Sequence, residues 1–195
     1  MQKHFGKKVN PFLLLLLSAL LLNFSGCGEE EDAVSAPQHI DNDLMETFTL
    51  INMENSTHKV TLSPKKLTFH DIDQSVVVIN VFNTFSRDSS YELKALSSLQ
   101  EKNPKDLFVV SLLVGDTINT KSLQLFIKKN HISHYVSNDI ENQTFTNTLL
   151  TSLALESNTT LPFSVLYTNG EYVIHYNNAV PIEMITYDIK QALKE

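Results

Sequence analysis

Two serines stand where this chain could most readily do chemistry. Ser86 and Ser89 lie three residues apart in a polar turn, Ser86-Arg87-Asp88-Ser89, between an apolar run and a helical pattern. The run is Val76-Val77-Val78-Ile79, continued past Asn80 by Val81 and Phe82. Such a β-branched series reads as a strand buried on both faces. A strand that feeds a turn and then a helix brings the helix's unpaired N–H groups and partial positive charge to that turn. Three uses of the serines follow. Both can cap the helix, since serine is among the best N-cap residues and Ser89-Ser90-Tyr91-Glu92 has the S-x-x-E form of a capping box; capping is the expected role. One could act as a nucleophile beside a histidine. However, none of His39, His58, His70, His131, His134 and His175 has a local motif tying it to Ser86, and there is no G-x-S-x-G. The turn could also be part of a binding surface.

Other chemistry-bearing residues are sparse. His131-Ile132-Ser133-His134 has metal-like proximity but no further ligands in sequence, and reads as a polar loop after a helix. Asp71 with Asp73, and Asp139 with Glu141, read as solvated loop acids. Asn158-Thr159-Thr160 is a glycosylation-type sequon with Glu156 two residues before it, and reads as a chance match. No metal or cofactor is expected.

The 195 residues suffice for one domain behind a targeting segment. Lys3, His4, Lys7 and Lys8 form a basic start, with no acid before Glu29. Residues 12–22 are almost all leucine, too short a stretch to span a membrane comfortably. Phe24-Ser25-Gly26-Cys27 then resembles the lipobox of bacterial lipoproteins, in which the cysteine is acylated and becomes the new N-terminus; Phe24 stands where an aliphatic residue is more usual. The resemblance implies a signal peptide over residues 1–26 and membrane attachment through a lipid on Cys27. It also implies a place in the cell envelope facing the periplasm, with Gly28 favouring the outer membrane. Cys27 is the only cysteine. Once acylated, it leaves the mature chain no thiol for disulfide exchange or metal ligation. Without the signal, twelve basic residues face 22 acidic ones, a formal balance of −10. No basic stripe is present, so nucleic acid is not an expected partner. Residues 27–46, acidic and without apolar periodicity, read as a flexible tether.

The elements that must position the serines follow from the patterning. Residues 48–53 and 59–62 read as a β-hairpin, and residues 63–73 as a connector with Pro64. The central strand spans about residues 76–83. From Ser89, Leu93, Leu96 and Leu99 form a helical stripe, with Pro104 marking the exit. Residues 107–114 form a second continuous apolar strand, so strand, helix and strand make a parallel βαβ unit. Short helices are expected over residues 121–129 and 143–155, with a small strand at Tyr135-Val136. Residues 163–167 and 171–176 flank Asn169-Gly170, the strongest hairpin signal in the chain. Pro181 opens a last helix with Ile182, Ile185, Ile189 and Leu193 facing inward.

This order resembles an α/β domain of thioredoxin-like fold, a central mixed sheet flanked by helices with an N-terminal β-hairpin extension. It is similar to the TlpA-type branch of periplasmic thiol-disulfide oxidoreductases over residues 47–195. Asn80-Val81-Phe82-Asn83-Thr84-Phe85 stands where that family has N-F-W-A-T-W. Thr160-Leu161-Pro162-Phe163 stands where it has its cis-proline, and Asn169-Gly170-Glu171-Tyr172-Val173 where it has a D-G-x-x-V hairpin. The family's W-C-x-x-C-x-x-E pattern falls on residues 85–92, with Ser86 and Ser89 at the two cysteine positions. A serine hydroxyl is too weak an acid to be ionised by a helix N-terminus at neutral pH, and it forms no mixed disulfide. The resemblance thus implies the fold without its redox activity. It further implies a surface at Phe85, Leu161 and Pro162 that pairs with an extended peptide or protein segment of the envelope, or holds a small ligand. Phe85 reads equally well as a core residue. The competing reading is an enzyme: an oxidoreductase by descent, or a hydrolase using Ser86.

Overall fold

The computed structural model describes residues 45–156 and 159–194. The expected signal peptide, the lipidation site Cys27, most of the tether and Asn158 lie outside the described residues.

The strands are β1 (Glu46–Ile51), β2 (Thr57–Ser63), β3 (Lys66–Phe69), β4 (Val76–Phe82), β5 (Leu107–Leu113), β6 (Tyr135–Ser137), β7 (Phe163–Thr168) and β8 (Glu171–Asn177). They form one eight-stranded sheet in the order β1-β2-β3-β8-β7-β4-β5-β6. The β4–β5 and β5–β6 pairs are parallel and the others antiparallel. The helices are α1 (Arg87–Lys102), between β4 and β5, α2 (Thr120–Lys129), between β5 and β6, α3 (Asn142–Ser152), between β6 and β7, and α4 (Ile182–Ala192), after β8.

The continuous apolar runs of β4 and β5 take the centre because both faces of the sheet are covered. Side chains alternate across a strand. Val76 and Val78 point to one face and pack with Leu96 and Leu99 of α1 and Ile185 and Ile189 of α4. Val77, Ile79 and Val81 point to the other and pack with Phe145 and Leu149 of α3 and with Phe48, Leu50, Val60 and Leu62 of β1 and β2. Phe48 meets Phe145 edge-on, with ring centroids 5.1 Å apart. The mixed, helix-flanked sheet with an N-terminal hairpin is the expected architecture.

Three local differences from the sequence reading have physical reasons. The stretch that reads as a connector contains β3, joined to β2 by a tight turn in which Ser63 pairs with Lys66. Pro64 and Lys65 make that turn, Lys65 taking a left-handed φ of 58° that glycine or asparagine more often supplies. Helix α1 begins two residues before Ser89, at Arg87. Pro181 takes the N-cap position of α4 with no side-chain bond, one place before the first helical residue. The Asn169-Gly170 turn forms as expected, with both residues at positive φ. Gly170 is required there: a Cβ would lie 2.7 Å from the carbonyl oxygen of Leu67, whose N–H donates to the Gly170 carbonyl at 2.8 Å.

The two ends of the sheet approach each other. Asn52, just past β1, bridges to Ser137 of β6. The Asn138 N–H, the Ser137 hydroxyl and the Tyr135 hydroxyl donate to the carbonyls of Ile51, Ile51 and Leu50. The hairpin extension therefore curls over the α3 face and is fastened at the far strand.

Candidate functional site

The turn after β4 is held by side chains on both sides. Asn83 Oδ1 accepts from the N–H groups of Phe85 (3.2 Å) and Ser86 (3.1 Å). Asp116, in the loop after β5, accepts from the N–H of Thr84 (3.0 Å) and from its hydroxyl. Burial opposes ionisation of Asp116, but these donors, with the Ile118 and Thr117 amides, outweigh it and hold its pKa below the usual carboxylate value. Asp116 also stands in the wall of an open cleft of about 400 Å³ between the loops after β5 and β6.

The serines part company at this point. Ser86, at φ −81° and ψ 126°, is the N-cap of α1, and its Oγ accepts from the Ser89 N–H at 3.3 Å. Ser89 is no cap, as the S-x-x-E reading had it. It is the third residue of the helix, fully buried, and its hydroxyl has no partner among the described residues. Nor does Glu92 reach back to complete a capping box. Its Oε1 accepts from Asn80 Nδ2 at 2.8 Å and from the Ser164 hydroxyl at 2.5 Å, while Asn80 Nδ2 also donates to Ser164 Oγ at 2.9 Å. The box fails because the helix starts earlier than its pattern implies: with Ser86 as the cap, the residue placed to reach back is Ser89, and Glu92 stands nearly a turn further on, facing the buried donors on β4 and β7. Glu92 is 6% exposed, and burial pushes its pKa above 4.5 despite the opposing bonds from Ser164 and Asn80.

The polar layer continues away from the turn. The Ser111 hydroxyl contacts Asn80 Oδ1 at 3.3 Å and His134 Nε2 at 2.7 Å, and His134 Nδ1 lies 2.7 Å from the Ser97 hydroxyl. One arrangement satisfies every side chain. Ser97 donates to Nδ1, Nε2–H to Ser111, Ser111 to Asn80, and Asn80 to Glu92. Burial depresses the His134 pKa to about 3, so the ring is neutral. With both ring nitrogens engaged inside the fold, His134 has no lone pair to share with His131 for a metal. Sequence reasoning passed over this layer. Its only trace is single polar residues, Asn80, Ser111 and Ser164, interrupting otherwise apolar strands.

The other described histidines with hydrogen-bond partners find them away from Ser86. His58 contacts Asp71 at 2.9 Å, His70 contacts Thr61 at 2.8 Å and His175 contacts Tyr172 at 2.8 Å. Among the described residues no histidine hydrogen-bonds Ser86 or Ser89, and no serine–histidine pair stands at the turn. Asp71 is exposed in a loop, as expected of a solvated acid, and contacts His58 there.

On the outer side of the turn, Phe85 is 76% exposed and Tyr91 69%. Phe85 is therefore not a core residue. The Leu161–Pro162 peptide bond is cis, with Pro162 buried and Leu161 half-buried. The Leu161 N–H and C=O have no partner among the described residues. Pro162 and Ser164 stand two residues apart on one segment, so the Glu92–Ser164 bond ties the helix that carries Ser86 to the strand that follows the cis-proline.

Comparison with known proteins agrees with this layout. No protein-family model matches the chain, and no curated protein does. Solved structures do. A candidate thiol:disulfide interchange protein DsbE from Chlorobium tepidum aligns over 76% of this chain and 94% of its own, with TM-score 0.55 and 19% identity. A thiol:disulfide interchange protein from a Bacteroides species aligns over 77% and 88%, with TM-score 0.55 and 11% identity. The pneumococcal exposed lipoprotein thioredoxin Etrx1 from Streptococcus pneumoniae aligns over 75% and 99%, with TM-score 0.52 and 13% identity. At these identities the likeness establishes the fold, which is thioredoxin-like.

Proposed function

We propose that this protein is a redox-inactive, thioredoxin-fold lipoprotein of the bacterial cell envelope that binds an extended peptide or protein segment. A lipid on Cys27 holds it to the membrane, facing the periplasm, the outer membrane being favoured. The segment lies along Phe85, Leu161 and Pro162 and pairs with the free backbone of Leu161 by strand addition. The observation that carries the reading is the fate of the two serines. Ser86 and Ser89 occupy the positions where the resemblance puts redox cysteines, and Ser86 is used as a helix cap. Beside them, the exposed ring of Phe85 supplies apolar area that nothing in the domain covers.

Two measurements test it. In an insulin-reduction assay the full chain should show no turnover above background; turnover that survives Cys27→Ala overturns the redox-inactive part. Crosslinking in the native envelope should recover a partner with the wild-type chain and far less with Phe85→Ala/Leu161→Ala/Pro162→Ala. Equal recovery from both removes the proposed surface.

A further inference from the structure

Backbone donors at the turn can be followed one by one. The Thr84 N–H goes to Asp116, those of Phe85 and Ser86 to Asn83, and that of Ser89 to Ser86. Between them, the adjacent N–H groups of Arg87 and Asp88 have no acceptor among the described residues. They open a 16-residue helix, where unpaired amides and the helix's partial positive charge favour an anionic oxygen. A second, separate feature marks the same place. The Ser89 hydroxyl is 0% exposed and unpartnered, on a residue whose Cα–Cβ bond tilts toward the helix start. A buried hydroxyl is seldom left unpaired in a folded protein, and an oxygen entering the first turn would give it a partner. The Arg87 side chain is exposed beside the free amides. Glu92, the nearest buried carboxylate, is engaged by Asn80 and Ser164, which leaves exposed Asp88 as the one competing acid in the first turn.

We propose that the start of α1 binds a carboxylate carried by the extended peptide. The N–H groups of Arg87 and Asp88 are its donors, the Ser89 hydroxyl is a further donor from beneath, and the Arg87 guanidinium is its counter-charge. This rests on the peptide-binding reading and adds the chemistry that selects the peptide. Asp88 weakens the site by like-charge repulsion, which sets a binding range open to improvement by substitution.

The test uses the full chain in detergent micelles, with assigned amide resonances. The probes are three libraries of N-acetylated tetrapeptides: free acids without Asp or Glu, amides without Asp or Glu, and amides with one Asp or Glu. The carboxylate-bearing libraries should shift the Arg87 and Asp88 resonances, and the neutral amides should not. Whichever carboxylate library acts tells a chain terminus from an acidic side chain. Ser89→Ala should weaken that binding about tenfold, and Asp88→Asn should strengthen it severalfold. Neutral amides that shift Arg87 and Asp88 as strongly overturn the proposal, as does an unchanged affinity in both variants. If the neutral amides alone bind, shifting Leu161 and Phe163, the carboxylate site falls and the peptide-binding reading stands. If no library binds, both fall.

Discussion

The Ser164 hydroxyl, two residues beyond the cis Leu161–Pro162 bond, donates to the carboxylate of Glu92, six residues beyond Ser86. One buried hydrogen bond thus spans the two walls of the proposed groove. Because the acceptor is a titratable group sealed in the core, the tie depends on pH, and its removal has a predictable sign.

Glu92 has a raised pKa in the folded state, so the proton is held more tightly there than in the unfolded chain. Its favourable contribution is present below the unfolded value near 4.5 and is lost as pH rises through the folded pKa. Glu92→Gln, which keeps an acceptor for Ser164 and Asn80 but never ionises, should raise the melting temperature at pH 7 and leave it nearly unchanged at pH 4. Glu92→Ala should lower stability by about 1–3 kcal/mol, since it strands both donors. Thermal melts of the three proteins at both pH values decide the matter; a Gln variant less stable at pH 7 would show that the charge is needed.

His134 runs the other way. Its folded pKa of about 3 lies below the 6.5 of the unfolded side chain, so burial of the neutral ring is favourable at neutral pH and becomes a penalty as pH falls from 6.5 toward 3. In urea titrations, wild type should lose stability across that window. His134→Gln, which cannot take up the proton, should lose less over the same range even if it is weaker at pH 7. Parallel pH profiles for the two proteins would mean that another group governs acid unfolding.

Gly170 and Gly115 form a matched pair of backbone tests. Both have positive φ, 82° and 62°, but a Cβ at Gly170 strikes the Leu67 carbonyl while one at Gly115 meets nothing within 4 Å. Gly115→Ala should lose about 1 kcal/mol from the left-handed conformation alone. Gly170→Ala should lose roughly 2–4 kcal/mol, strain and the steric clash together. Equal losses in chemical denaturation would mean that the β3–β8 contact yields freely.

Restoring sulfur tests the alignment of the turn. With Cys27 replaced by Ala, Ser86→Cys/Ser89→Cys should form an intramolecular disulfide on mild oxidation, seen as a two-dalton mass loss and blocked alkylation. The thiol introduced by Ser86→Cys, at the start of α1, should also titrate below the usual thiol value of roughly 8.5. A pair that stays reduced under air would count against a thioredoxin-like placement of these two residues.

The sequence carried the frame of the fold because its signals are local. The valine run of β4, the Asn169-Gly170 turn and the stripe of Leu93, Leu96 and Leu99 each declare an element within a few residues. Strand β3 escaped because Lys65, a residue with no preference for left-handed φ, makes the turn before it. Glu92 was misread for a related reason. A capping box is a pattern of neighbours, whereas the donors that claim Glu92 stand 12 and 72 residues away. Ser89 illustrates the same limit. Its type marks a cap and its spacing marks a site, but only the packed structure shows its hydroxyl buried and unpaired.

The fastening of Asn52 to Ser137 has a colloidal consequence. Strand edges with free amides and carbonyls are templates on which copies of a protein polymerise. Here the outermost strands of an eight-stranded sheet are latched to each other, so each blunts the other's rim. A domain so closed can be crowded at high density with little risk of runaway edge-to-edge growth. The Leu161 backbone, without a partner among the described residues, is then a gap one residue long beside a rim that is otherwise latched, too short to seed a fibre.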